Sequence, residues 1–211
     1  MEPSYTLQEA EVLGLSMSRV NYPQDLSKLE PHRGFYTRLV VHHGGSRDYT
    51  LRELIDLHMR KEGMGAIGYH FIIDPAGELL QVRDLQFKGA HAYPNSGKLG
   101  LGFLRSFDSR GPNTRERATF QQFTARLHEQ SDIHILGHNQ DQLLELAARY
   151  HFVTDYPEIA KRIWTPTSKD DFQRAKEDLL KLSQDLLFMD FVIKLKTCPG
   201  IYGIKELLHD E

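Results

Sequence analysis

Polar and apolar positions along the middle of the chain follow two distinct rhythms. Residues 37–43 (TRLVVHH) form an apolar, β-branched run ended by Gly44-Gly45, which predicts a buried strand. Residues 69–74 (YHFIID) predict a second strand, Pro75-Ala76-Gly77 a turn, and ELLQVRD the returning arm of a hairpin. Residues 98–107 (KLGLGFLRSF) and 132–138 (DIHILGH) predict two further strands. The helical rhythm appears after Thr50-x-x-Glu53, a capping box whose helix runs to about Lys61, before Gly63, and again over residues 114–130. Residues 6–18 predict a short helix, followed by a loop that reaches the Pro/Gly-containing stretch before residue 36. The expected fold class is α/β, a central mixed β-sheet flanked by helices.

Residues 140–190 differ in character and are helix-rich. Ser168-x-x-Asp171 opens a segment in which Phe172, Ala175, Leu179, Leu182 and Leu186 recur at spacings of three and four, one apolar face of an amphipathic helix. Such a face packs on the protein's own core or receives a partner helix, and the pattern leaves both readings open. The chain shows no internal repeat and no low-complexity tract.

Composition narrows the function classes. With 211 residues, 40% hydrophobic and 26% charged, the chain is long enough for one domain with a proper core. Its 26 basic and 29 acidic residues give a formal net charge of −3, which argues against nucleic-acid binding by bulk electrostatics. No run approaches the roughly 18 apolar residues of a membrane span. The N-terminal MEPSYTLQEAEVLGLS has no apolar run of signal-peptide type, so synthesis in the cytoplasm is expected, with delivery by other means if the protein acts outside. One cysteine excludes an intrachain disulfide, and 11 histidines are an excess of the residue that most often binds metals.

Three clusters carry candidate chemistry. His42 and His43 end a strand and point to opposite faces, so one of them faces any given site. His138 follows Gly137 at another predicted strand end. Lys196 and Cys198 are two apart in KTCPG and share a face in an extended segment, where a cation favours the thiolate that zinc binds. Together His42, His138 and Cys198 would make a three-ligand zinc site with one position open for water. Composition alone does not select these three, and each also has an ordinary structural reading: strand-end histidines and a small buried cysteine.

At this point the sequence resembles a known family. VVHHGG, GYHFIIDPAGELLQVRD, KGAHAYPNSGKLGLGF, ILGHNQ and KTCPG occur in the order found in zinc-dependent N-acetylmuramoyl-L-alanine amidases of the peptidoglycan-recognition and phage-lysozyme type. The resemblance covers roughly residues 37–140 and 194–205. It implies a mostly β sheet with helices at its sides and a Zn2+ in a surface groove, with peptidoglycan as the partner. Carried over by motif, it implies His42, His138 and Cys198 as zinc ligands, and Tyr69 and Lys196 as catalytic residues. It also implies that His91 and Asn95 line the groove, with His70 beside them. The activity implied is hydrolysis of the amide between N-acetylmuramic acid and L-alanine, in an endolysin or an antibacterial effector. A module that recognises peptidoglycan without cutting it is the alternative.

The chain departs from the family pattern in three places. Fifty-nine residues separate His138 from Cys198, where relatives have a short loop, so residues 140–190 read as a helical insertion and a possible protein-partner surface. His134 and His151 are the fallback ligands. KLGLGF replaces a hydroxyl-containing turn, and Met64 stands where relatives tend to have tryptophan. The expected organisation is an N-terminal extension over 1–36 and an amidase domain over 37–211.

Overall fold

The computed structural model describes residues 4–107, 111–138, 140–142, 145, 157–164 and 167–182. Among these, seven strands form one mixed sheet in the order β1-β2-β5-β4-β6-β3-β7. The strands are β1 (Thr6–Val12), β2 (Leu15–Asn21), β3 (Arg38–His42), β4 (Phe71–Ile73), β5 (Leu79–Gln81), β6 (Lys98–Phe103) and β7 (His134–Gly137). Helix α1 (Leu51–Ile55) follows β3, α2 (Thr114–Gln130) lies between β6 and β7, and α3 (Pro157–Trp164) and α4 (Lys169–Leu182) fall in the helix-rich stretch. The mixed α/β architecture expected from the pattern is present. Lys196 and Cys198, His151, Leu186 and much of the 140–190 segment lie outside the described residues.

The helix expected over 6–18 is instead a hairpin, β1 and β2 pairing from Thr6↔Asn21 to Val12↔Leu15. Its two-residue turn holds Leu13 at φ 56° and Gly14 at φ 67°, the positive-φ pair of a tight hairpin. Leu13 tolerates this because its side chain packs on the core and its carbonyl accepts a 2.8 Å bond from Gln130 Nε2. The hairpin joins the main sheet through β2, where Ser18 and Arg19 pair in parallel with Leu80 and Gln81 of β5. The strand expected over 98–107 stops at Phe103.

The two sheet faces do different work. Leu39 and Val41 of β3, with Leu99, Leu101 and Phe103 of β6, bury one face against Phe120, Phe123 and Leu127 of α2. Helix α2 is placed by Asn113, whose Oδ1 accepts from the Arg115 and Glu116 backbone amides while Glu116 answers the Asn113 amide. Truncating the fully buried Phe120 to alanine would remove about 3–5 kcal/mol. The opposite face is shared. Ile72, Leu80 and Val82 pack against Leu51, Leu54 and Ile55 of α1, and beside them the sheet carries the alternate residues Arg38, Val40 and His42 of β3. These are in register with Lys98, Gly100 and Gly102 of β6. That strip is where the histidines collect.

Candidate functional site

Parallel pairing of β3 and β7 through Val41↔Gly137 brings the residues that follow each pair, His42 and His138, to the same sheet end. Their ring centroids lie 4.6 Å apart, and both side chains are buried. The chain turns helical at residue 138, and the Gly137 amide donates to Gln140 Oε1 at 3.0 Å, closing that turn. His43 points the other way, stacked on Phe107, its Nδ1 accepting from the Gly45 amide at 3.1 Å and the Phe107 amide at 3.3 Å. The fallback His134 is exposed and registers opposite Arg38, the far end of β3 from His42.

Two glycines open the floor of the site. A Cβ on Gly100 would stand 2.5 Å from His91 Cδ2, and one on Gly102 would stand 2.7 Å from Tyr69 Cδ2. The LGLG alternation therefore lets an imidazole and a phenol lie directly on the sheet. His91 meets His42 there, its Nδ1 3.1 Å from His42 Nε2, one ring donating to the other. Tyr69, half-buried, has its ring 4.9 Å from that of His42. Asn95 shapes the loop that carries His91, its Oδ1 accepting from the His91 and Ala92 amides at 2.9 and 3.0 Å. Six of the residues expected at the site thus have places in the structure, and five of them, His42, His138, Tyr69, His91 and Asn95, gather at this strip.

The sixth, His70, is fully buried beneath the groove rather than on its surface. Its Nδ1 accepts from the Gly100 amide at 3.0 Å, and its Nε2 lies 3.0 Å from the Phe87 carbonyl and 3.2 Å from the Tyr36 hydroxyl. Both nitrogens are engaged with protein, so this ring fastens β6 to the 85–87 loop under His91. The His58 ring sits against Tyr69 from the widened helical turn Asp56–Lys61, its Nδ1 accepting from the Gly68 amide at 3.0 Å. Sequence reading did not single out His58; its only signal there is a histidine on the inward side of the helix.

Electrostatics keep these rings neutral. Burial first, then the fields of His138 and His91, hold His42 well below the usual imidazole range. Burial and the Lys98 ammonium hold His138 at about 4. His91 is held well below its usual range, again mainly by burial. A neutral imidazole is the form that binds a metal. His138 Nδ1 is buried without a hydrogen-bond partner among the described residues, and so is His91 Nε2. No group of three or more His, Cys, Asp or Glu side chains placed for a metal occurs among the described residues, which exclude Cys198.

Residues 33–159 match the family described as N-acetylmuramoyl-L-alanine amidase. Peptidoglycan-recognition protein SD of Drosophila melanogaster is 30% identical over 95 residues, covering 43% of this chain and 51% of that protein. Peptidoglycan-recognition protein 2 of Holotrichia diomphalia is 27% identical over 128 residues, 56% of this chain and 65% of that protein. The chain thus spans between half and two-thirds of the length of these relatives. Among solved structures, Drosophila PGRP-SD superposes with a TM-score of 0.49 at 25% identity, over 54% of this chain and 75% of that one. The N-acetylmuramoyl-L-alanine amidase LysC from Clostridium intestinale superposes with a TM-score of 0.48 at 21% identity, over 56% and 78%.

Proposed function

Because the chain belongs to the N-acetylmuramoyl-L-alanine amidase family, we propose that it is a zinc-dependent hydrolase of the amide between N-acetylmuramic acid and L-alanine in peptidoglycan. The observation that carries this reading is the 4.6 Å approach of the His42 and His138 rings on the glycine-floored strip of the sheet. The residues fit the metal. Both rings are kept neutral by burial, and His138 Nδ1 has no partner among the described residues. His42, His138 and Cys198 would hold the ion, two imidazoles and a thiolate. When bound, zinc supplies a Lewis acid that polarises the scissile carbonyl and lowers the pKa of water.

The chain's own residues supply the rest. His91 holds His42 in one orientation through the shared hydrogen bond, as a partner beneath a ligand does. Tyr69, beside His42, places a phenol where it hydrogen-bonds the attacking water or the developing oxyanion. Lys196 adds a cation for the same oxyanion. The proposed place of action is the bacterial cell wall, reached as an endolysin or a delivered effector. A second reading, recognition without hydrolysis, is supported by the relatives' names as peptidoglycan-recognition proteins.

Purified sacculi separate the two readings. The hydrolase releases new L-alanyl amino termini, loses that activity to a chelator and regains it with zinc. A pure recognition module binds sacculi and releases none. Lys196→Ala should retain zinc and lose most turnover.

A further inference from the structure

Four charged side chains meet on the sheet face that carries His42, toward the other end of β3. Lys98 opens β6 and Arg38 opens β3, and the two are register partners on the same sheet face as His42. Facing them, Asp141 and Glu145, each helical, lie three and seven residues beyond His138 in the sequence. Lys98 Nζ donates to Asp141 Oδ2 at 2.6 Å and lies 3.1 Å from Glu145 Oε1. Arg38 Nη1 donates to Asp141 Oδ1 at 3.1 Å and also to Glu145 Oε1. The Lys98 side chain is 2% exposed and that of Asp141 0%.

Stability does not explain such a clasp. Desolvating an ammonium and a carboxylate costs about what their attraction returns, and an apolar pair of similar volume often serves as well or better. What a buried, directional pair provides is a single geometry. The clasp fixes one helical turn, Asp141 at its centre, onto two strands at known register positions. His138 precedes Asp141 by three residues, and its ring has no partner at Nδ1 to orient it among the described residues. Gln140 closes the turn between them.

We propose that Lys98 and Asp141, backed by Arg38 and Glu145, are positioning residues that set the place and angle at which His138 meets His42. The inference rests on the reading of His138 as a metal ligand. It adds that the ligand is aimed by an ion-pair clasp on its backbone, whereas His42 is aimed by a ring neighbour.

The test uses the full chain and two probes, zinc alone and cobalt(II) alone. In the Lys98→Met/Asp141→Leu variant, an apolar pair replaces the ion pair. The thermal midpoint and far-UV spectrum should stay close to those of the wild type. Zinc affinity, measured by chelator competition, should fall about 10- to 100-fold, and the cobalt(II) d–d bands should shift. Unchanged affinity and bands in a folded variant would overturn the proposal while leaving the wild type a zinc protein. Failure of the wild type itself to bind zinc would instead strike the proposed function. If the double variant does not fold, the half-buried pair decides. Arg38→Gln/Glu145→Gln should weaken zinc binding severalfold with shifted cobalt bands, and wild-type values there would equally overturn the proposal.

Discussion

Gly100 lies beneath His91, so close that a Cβ at that position would stand 2.5 Å from the imidazole Cδ2. The strand residue and the loop residue share one volume, and the ring has the site only because the glycine has no side chain. Gly100→Ala should therefore push His91 off His42 and cost about 1–3 kcal/mol through overpacking. Paired with His91→Ala, the two changes should be strongly non-additive, the second removing most of the strain created by the first. Denaturant midpoints of the two single variants and the double variant check this; simple additivity would contradict the packing argument.

Tyr69 is the side chain whose hydroxyl, not its ring, is assigned to chemistry. Tyr69→Phe keeps the ring contacts with His42 and His58. It should leave zinc content and thermal stability near wild type and lower turnover on sacculi about a hundredfold or more. Equal loss of zinc and turnover would mean that the hydroxyl serves metal retention rather than the chemical step, and unchanged turnover would mean that the ring alone is what the site needs.

Acid should destabilise the metal-free protein in a defined window. Burial holds His58 and His70 at about 4, against an ordinary 6.5. Between those values the unfolded chain takes up protons that the native chain refuses, so native stability rises with pH across the window and falls as pH drops from 6.5 to 4. The urea midpoint of the metal-free protein at pH 7, 5.5 and 4.5 should decline in that order. A flat or rising series would show that these rings are not held neutral.

Much of this was legible in the sequence, for physical reasons. The strands β3 to β7 carry β-branched or alternating apolar runs, and α2 falls on its expected bounds. The Thr50–Glu53 capping box forms as its spacing predicts, with Glu53 also answering the Thr50 amide. Strand-end histidines 42 and 138 were visible as candidates, but their meeting depends on the register of β3 and β7, which no local pattern encodes. The hairpin over residues 6–21 lacks a local signature because β1 is exposed over most of its length and shows no sustained period-2 burial. Its turn also uses Leu13 at positive φ instead of the usual asparagine or glycine. His70 is legible as a neighbour of Tyr69, but its burial depends on the Tyr36 hydroxyl, the Phe87 carbonyl and the Gly100 amide, groups distant in sequence that close around its ring. The clasp of Lys98 with Asp141 joins residues 43 apart, beyond any local rhythm.

The capping box itself supplies a control away from the chemistry. Thr50→Ala should remove about 1 kcal/mol of stability with zinc content and turnover retained. A large loss of activity would place α1 closer to the reaction than its packing against Leu80 and Val82 implies.

The proposed zinc centre stands on His42 and His138 gripping one ion together. Metal analysis of the purified full chain addresses it most directly, comparing the wild type with His42→Ala, His138→Ala and Cys198→Ser. About one zinc per folded wild-type chain is expected, and little in any of the three variants, each still folded. Stoichiometric zinc in folded His138→Ala, or none in the wild type after exposure to zinc, would contradict it.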